Sequence, residues 1–301
     1  MSGILQNGLS LSNNSKGAAL MTGASLAFVL NDFLMKLVFS ELSVVQGVFV
    51  RGLFVCPLLI LVCLRRNQLF AQLPRGDIGI IACRTALEIS ITFLFLVALS
   101  QLSLAHVIAV LQAVPLILTA VAAIILHEKV GWRRWAAVWT GFIGVMLVIK
   151  PGLNSFSVFS LSVLMAAILI AIRDLLTRQI SVQTPSFLVA LITALAVTTA
   201  GGIATLATGW HEPSSSSWFL MIGAALAIPA AYVLSIATMR VGDVSFVTPF
   251  RYTSIMFATI LSSLLTGHLP DRLSLLGTAM VILAGLYCLH REYLLADNQT
   301  N

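Results

Sequence analysis

The sequence predicts an all-α integral membrane protein that crosses the bilayer ten times. Of its 301 residues, 59% are hydrophobic and only 9% are charged, whereas a soluble globular protein carries about 25% charged residues. The apolar residues form runs of about 20, the length that an α-helix needs to cross ~30 Å of hydrocarbon. Uninterrupted runs of this length exclude a soluble fold, and they do not resemble barrel strands, which alternate over about 10 residues.

The predicted spans follow one another with short connections. The first five cover residues 17–38, 44–64, 77–99, 104–126 and 132–149, and the second five cover residues 156–176, 185–208, 217–238, 244–266 and 273–289. The longest connections, residues 65–76 and 209–216, are too short for a catalytic domain. Pro115, Pro229 and Pro249 fall inside spans and are expected to kink them.

The Lys and Arg residues at the span ends predict the orientation of the chain. One side of the membrane collects ten of them, whereas the other side has three, Lys36, Lys150 and Arg272. Because cytoplasmic connections are enriched in Lys and Arg, the tails at residues 1–16 and 291–301 are both predicted to be cytoplasmic. The formal net charge of +6 is then a topology signal, and no basic run with interleaved aromatic residues indicates a nucleic-acid partner.

No metal or cofactor is expected. The four cysteines lie in or beside apolar spans without the spacing of metal ligands, so neither a disulfide framework nor a zinc site is predicted. The five histidines lie mostly at span ends or in connections and form no HxxxH pattern. No nucleotide-binding motif is present either.

The two halves of the chain resemble each other weakly. A shift of 142 places residues 31–36 over residues 173–178, and a shift of 139 to 140 places residues 98–149 over residues 237–289 without a gap in the helices. The two predicted five-helix units are residues 17–149 and 156–290. Because five is odd, the second unit starts on the opposite membrane face, so the two units form an inverted repeat, as in many alternating-access carriers.

Several segments resemble a known family. Residues 126–135 (LHEKVGWRRW), 141–145 (GFIGV) and 150–152 (KPG) look like the end of an EamA unit, and residues 104–115 (LAHVIAVLQAVP) resemble its fourth helix. Residues 239–252 (MRVGDVSFVTPFRY) resemble the same unit in degenerate form. The chain is thus similar over essentially its whole length to the EamA family of the drug/metabolite transporter superfamily. This resemblance implies two inverted five-helix units around a central cavity in a bacterial inner membrane.

Glu88 and Arg84 are the first candidate site residues. Glu88 lies near the middle of the third span and Arg84 precedes it by four residues, so both share one helix face, where they can pair. An ionisable group at this depth is costly and normally faces a cavity or a partner. Either the pair is a structural link between helices, or Glu88 is an acid that binds a proton or a substrate amine.

Gln112 in the fourth span and Arg251 in the ninth occupy the same position of the repeat, as residues from two walls of one cavity would. The guanidinium of Arg251, beside Tyr252, suits a carboxylate or phosphate because it can bind such a group bidentately. In the alternative, Arg251 extends toward the cytoplasmic interface.

Two further pairs, Asp32 with Lys36 and Asp174 with Arg178, are each four residues apart and lie at equivalent repeat positions. We interpret them as structural ion pairs, with gating or substrate contact as the alternative.

Asn31 adds a hydrogen-bonding group beside Asp32, and Arg51 is expected to pair with either Asp32 or Glu88. The complete set of predicted substrate-binding or coupling residues is Asn31, Asp32, Arg51, Arg84, Glu88, Gln112, Arg251 and Tyr252.

A secondary transporter is the function that these features favour. An intramembrane enzyme would need a catalytic pattern such as HExxH, and a channel would favour rings of like charge. The charges inside the spans are mixed in sign, which favours a zwitterionic or carboxylate-bearing, amino-acid-like metabolite. The resemblance favours export, possible proton coupling and a monomer or homodimer, and the alternative is an importer of a vitamin or nucleoside-type cofactor of the riboflavin or S-adenosylmethionine class.

Overall fold

Helices account for all the regular secondary structure in the part of the chain that the structure, a computed structural model, describes: residues 2–125, 132–150, 157–181, 183–241 and 247–300. In chain order they are α1 (Ser2–Val38), α2 (Val44–Arg65), α3 (Arg75–Gln101), α4 (Leu104–Leu111), α5 (Val114–Ile125), α6 (Trp132–Ile149), α7 (Val158–Arg178), α8 (Ser186–Thr208), α9 (Ser215–Val241), a 3₁₀ helix (Thr248–Tyr252), α10 (Thr253–Thr266) and α11 (Arg272–Thr300).

The helices confirm an all-α multi-pass membrane protein. Seven segments in the described residues are long and apolar enough to cross a membrane, and Trp135–Ile149 and Arg272–Cys288 are shorter apolar helices. The 3₁₀ helix and α10 together form the remaining span, so the count fits the ten predicted spans. Helix α1 begins at Ser2 and α11 ends at Thr300, so helix continues into both segments that we predicted as tails.

Two predicted spans are interrupted. The fourth span divides into α4 and α5 at a turn formed by Gln112 and Ala113, just before Pro115. Proline has no N–H to donate and disfavours helical geometry in the residue before it, which explains a break at this place. The ninth span begins as a 3₁₀ helix that contains Pro249. By contrast, α9 continues through Pro229.

The helices pack in pairs between the two halves of the chain. Helix α1 packs on α9, α2 on α8, α3 on α7, α4 on α10, and α6 on α11. Exchanging each span for its counterpart in the other predicted unit leaves these pairings unchanged, since the α1–α9 pair becomes the α7–α3 pair. The division into two inverted units nevertheless stays a prediction.

Glycines allow helix backbones to come close together in two of these pairs. A Cβ atom on Gly277 of α11 would lie 2.4 Å from the carbonyl oxygen of Gly144 in α6. A Cβ atom on Gly201 of α8 would lie 3.1 Å from the backbone nitrogen of Phe49 in α2. These glycines therefore let helix backbones approach directly, as small residues do in membrane helix packing.

Polar contacts clamp connections that lie at opposite ends of the α2–α8 pair. After α1, Glu41 accepts hydrogen bonds from the Ser214 backbone N–H and hydroxyl, both at 2.7 Å, and from the Ser217 hydroxyl. These hydroxyl groups lower the pKa of Glu41. At the start of α3, Asp77 accepts hydrogen bonds from Ser181 and Thr184 in the connection before α8. Both ends of the α2–α8 pair are therefore held by a carboxylate and hydroxyl groups.

Candidate functional site

A cavity of about 630 Å³ lies between α2, α3, α7, α8 and α9. Apolar side chains such as Val55, Leu59 and Phe187 form most of its wall. The polar and charged groups that line it deeper between the helices are Arg51, Arg84, Glu88, Thr92, Thr193, Thr198 and Tyr232, and Thr177, Ser181, Thr184 and Ser186 line it near the connection that precedes α8. Its volume falls within the ~300–1,000 Å³ typical of small-molecule sites.

Glu88 pairs with Arg173 of the neighbouring helix α7. The Arg173 Nη1 atom lies 2.7 Å from Glu88 Oε2, and its Nε and Nη2 atoms donate to Asp174 Oδ1 at 3.0 and 2.7 Å. The side chains of Arg173 and Glu88 are each only 20% exposed. The pairing of Glu88 with Arg84 that the shared helix face permits is not formed among the described side chains, and the ion pair of Glu88 is with Arg173 from the adjacent helix.

Arg84 instead contacts hydroxyl groups. Its Nε atom donates to Thr177 Oγ1 at 3.0 Å, and its Nη1 atom donates to Thr193 Oγ1 at 2.8 Å. Thr193 in turn donates to the carbonyl oxygen of Val189 at 2.8 Å, four residues earlier in α8. Arg84 thus lines the cavity and donates its hydrogen bonds to neutral hydroxyl groups. Among the described side chains, no carboxylate forms an ion pair with its guanidinium.

Asn31 connects Asp32 with Arg51. The Asn31 Nδ2 atom donates to Asp32 Oδ1 at 2.9 Å, and Arg51 Nη1 donates to Asn31 Oδ1 at 3.4 Å. The charges of Asp32 and Arg51 also attract each other. Of the two partners predicted for Arg51, the structure therefore places it near Asp32.

The predicted ion pair of Asp32 with Lys36 is not formed. The Lys36 ammonium donates to the carbonyl oxygens of Leu99 and Leu102 at 2.8 and 2.6 Å, so it does not pair with Asp32. Unpaired carbonyls at a helix C-terminus attract a cation, which explains why Lys36 reaches the end of α3. Asp174 is bound by Arg173, and the side chain of its predicted partner Arg178 lies outside the described residues.

Gln112 lies at the break between α4 and α5, where its Nε2 atom donates to Ser254 Oγ at 2.9 Å. Arg251 is exposed, and the Tyr252 hydroxyl is buried without a hydrogen-bond partner in the described part of the chain, directly against Gly285. The structure thus brings Gln112 next to the segment of Arg251 and Tyr252. None of these three residues is among those that line the 630 Å³ cavity, and neither are Asn31 and Asp32.

Sequence reasoning missed Arg173, Thr193 and Tyr232 as site residues. Arg173 is a basic residue inside a span, which is the signal that could have found it, whereas a threonine in a span is too common to stand out. Tyr232 lies three residues after Pro229, and its hydroxyl is within electrostatic range of Glu88 and Arg173. Its ring also packs edge-on against Phe28, with ring centres 5.6 Å apart.

The side chains that line the cavity are suited to binding a small molecule. Hydroxyl groups, one carboxylate and two guanidinium groups face an otherwise apolar space. Among the described residues no group of three or more His, Cys, Asp or Glu side chains could hold a metal ion. The four cysteines, all among the described residues, form no disulfide with one another.

Comparison with known proteins gives consistent matches. Residues 15–150 match the model of the EamA-like transporter family. The riboflavin transporter of Vibrio cholerae is 31% identical over 179 residues, which are 59% of each protein. The S-adenosylmethionine uptake transporter of Rickettsia prowazekii is 26% identical over 182 residues, which are 60% of this chain and 61% of that protein.

The chain therefore spans about three fifths of the length of these curated relatives. One crystal structure superposes with a TM-score of 0.64 at 16% sequence identity, covering 90% of this chain and 95% of the other. At this identity the superposition shows a shared fold.

Proposed function

The chain belongs to the EamA-like transporter family, and from that premise we propose that it imports a small heteroaromatic metabolite of the riboflavin class through the 630 Å³ cavity. A membrane transporter, and not an enzyme, is what the family and the names of the relatives indicate. The finer proposal of the cargo and its direction is supported by the lining of the cavity and by those names.

The charge balance around the cavity carries the proposal. Three guanidinium groups and three carboxylates cluster here, and they cancel when all are ionised. They are Arg51, Arg84, Arg173, Asp32, Glu88 and Asp174. A site without net charge favours a neutral or zwitterionic cargo, because a net charge moved into a low-dielectric space would be uncompensated.

The remaining lining narrows the class of cargo. Apolar residues form most of the wall, while Thr92, Thr193 and Thr198 present hydroxyl groups. A cargo with an apolar ring system and a hydroxylated chain matches both parts of such a wall. Its ring would contact the apolar residues, and its hydroxyl groups, once buried, would require hydrogen-bond partners among the polar ones. Riboflavin has this composition, and a riboflavin transporter is among the relatives. S-Adenosylmethionine and the amino-acid-like zwitterion predicted from the sequence are the alternative cargoes.

Contacts between residues at or near equivalent repeat positions support alternating access by an inverted repeat. Cys56 Sγ lies 3.5 Å from Thr198 Oγ1, 142 residues later, and Gln112 Nε2 lies 2.9 Å from Ser254 Oγ, three residues after the counterpart of Gln112, Arg251. A residue can contact its own counterpart only beside the two-fold axis that relates the repeats. We propose on this basis that the axis passes through the α2–α8 and α4–α10 pairs, next to the cavity.

Transport by the purified chain in proteoliposomes tests the cargo. Radiolabelled riboflavin, S-adenosylmethionine and alanine are each offered to vesicles with and without an imposed pH gradient. We expect saturable riboflavin uptake that unlabelled riboflavin inhibits and alanine does not. Saturable uptake of alanine alone, or efflux without uptake in vesicles of known protein orientation, would contradict the riboflavin import proposal and favour the predicted amino-acid exporter.

A matched pair of variants tests the cavity. Thr193 and Thr199 both lie in α8 and both donate to the carbonyl oxygen four residues earlier at 2.8 Å, but only Thr193 lines the cavity and accepts a hydrogen bond from Arg84. Thr193→Val is expected to lower kcat/KM about tenfold, equivalent to about 1.4 kcal/mol, while Thr199→Val leaves it unchanged. Equal effects of the two substitutions on kcat/KM would contradict the proposal that the cavity is part of the transport pathway.

A further inference from the structure

We propose that Asp32 is the proton-binding residue of this transporter and that it acts on the cavity through Asn31 and Arg51. The inference rests on the proposed transport function and adds its coupling ion. One side chain joins the two charges, because Asn31 donates to Asp32 at 2.9 Å and accepts from Arg51 at 3.4 Å. Arg51 lines the cavity, whereas Asp32 does not. A change at Asp32 therefore reaches the cargo through Arg51.

Asp32 differs in its contacts from the other acids within the described spans. Glu88 and Asp174 both contact the guanidinium of Arg173, and Asp77 accepts hydrogen bonds from the hydroxyls of Ser181 and Thr184. In the described residues Asp32 accepts a side-chain hydrogen bond from the neutral Asn31 amide and has no cation within 4 Å. An acid locked to an arginine stays ionised, whereas an acid held by an amide can exist in both protonation states.

Arg51, on α2, is the described cation that interacts electrostatically with Asp32. Helix α1 contacts α3, α4, α9, α10 and the 3₁₀ helix. The described ionisable side chains named next, on α1 and these elements, contact groups other than Asp32 or are exposed, and Tyr232 also interacts electrostatically with Arg51. Lys36 binds carbonyl oxygens of α3, Glu88 binds Arg173, Arg84 binds two threonines, His106 contacts Ser160, Tyr232 contacts Phe28, and Arg251 is exposed.

Protonation of Asp32 would change the charge of the site by one unit. The three carboxylates and three guanidinium groups cancel when Asp32 is ionised. When a proton from the aqueous phase binds the Asp32 carboxylate, the added charge remains on the Arg51 guanidinium, where a polar oxygen of a neutral cargo can stabilise it. Arg51 then loses its attraction to Asp32 and is available to a cargo oxygen. Because proton and cargo act on the same guanidinium, each changes the affinity of the site for the other by the same factor. The proton is released from Asp32 on the opposite side of the membrane.

The variant Asp32→Asn tests whether riboflavin can be exchanged across the membrane without being accumulated by a pH gradient. Asparagine has the shape of aspartate and cannot be ionised, so the variant is expected to exchange labelled for unlabelled riboflavin within about twofold of the wild-type rate. The wild type is expected to accumulate riboflavin several-fold from a medium one pH unit more acidic than the vesicle interior, and the variant is expected not to accumulate it. One proton per neutral cargo can drive at most about tenfold accumulation under this gradient.

Asp271→Asn, outside the spans, serves as the matched control and should accumulate riboflavin like the wild type. Asp32→Glu keeps a carboxyl group and should retain accumulation, with a shifted pH dependence, and it provides the test if Asp32→Asn does not fold. Accumulation by Asp32→Asn, an unshifted pH dependence in Asp32→Glu, or wild-type uptake that ignores the pH gradient would overturn the proposal. Wild-type protein that neither exchanges nor takes up any of the three offered metabolites would instead refute the proposed function.

Discussion

The Glu88–Arg173 ion pair gives the sharpest test of the site geometry. Glu88→Gln replaces the carboxylate that lies 2.7 Å from Arg173 Nη1, but it leaves both Asp174 contacts and an amide oxygen that can still accept. Removing one partner of a buried pair costs about 3–5 kcal/mol when the other charge is left uncompensated. Because Asp174 still compensates Arg173, we expect a loss of about 1.5–3 kcal/mol of unfolding free energy, the range for a hydrogen bond to a charged group. Arg173→Met leaves two carboxylates unpaired and should cost about 3–5 kcal/mol.

A double-mutant cycle measures the coupling directly. Unfolding free energies in mixed micelles are compared for Glu88→Gln, Arg173→Gln and the double variant, and then for Glu88→Gln with Arg84→Gln. We expect a coupling energy of about 1–3 kcal/mol for Glu88 with Arg173 and near zero for Glu88 with Arg84. A larger coupling of Glu88 with Arg84 would restore the pairing predicted from the sequence and refute the geometry described above.

Two further predictions concern stability. Gly277→Ala should destabilise the protein by about 1–3 kcal/mol, because its methyl group would lie 2.4 Å from the Gly144 carbonyl oxygen. The control Gly79→Ala, with nothing within 4 Å of its Cβ position, should be neutral or stabilising in thermal unfolding. Equal effects of the two substitutions would contradict the close helix contact. The Lys150 hydrogen bond lowers the pKa of Asp271 to about 2, so this pair contributes fully above the unfolded pKa of about 4 and is lost as the pH falls through 2. Asp271 is 53% exposed, and Asp271→Asn should therefore cost only about 0.2–1 kcal/mol at pH 7, a difference that should shrink between pH 4 and pH 2 rather than grow.

The sequence predicted the helices well because the bilayer leaves a spanning backbone few alternatives. Apolar length located each span to within a few residues, and α2, predicted at 44–64, runs from Val44 to Arg65. The breaks were harder to place. Pro115 predicted a kink, but at the turn Gln112 also donates a hydrogen bond to Ser254 from a distant part of the chain, a contact that a local pattern does not contain.

Of the eight residues predicted for substrate binding or coupling, three line the cavity, and their role in transport stays a prediction. Arg51, Arg84 and Glu88 do line the cavity, because charge inside a span is rare enough to mark a site. Spacing of four residues predicted that Glu88 pairs with Arg84, yet its partner comes from another helix, 85 residues away. A shared helix face permits an ion pair, but which of several cations contacts Glu88 depends on distances between helices. These distances cannot be read from a single sequence.

The proposed repeat implies that the two walls of the cavity are not chemically equivalent. Arg51 of α2 and Thr193 of α8 are 142 residues apart, the shift that relates the units, and both line the cavity. One wall therefore carries a cation attracted to Asp32, and at the equivalent place the other wall carries a hydroxyl that accepts from Arg84. A symmetric cavity would bind an amphipathic cargo in two opposite orientations. Because the cation of this equivalent pair lies on one side of the axis only, we expect the cargo to have one preferred orientation, with a proton at Asp32 acting on one end of it.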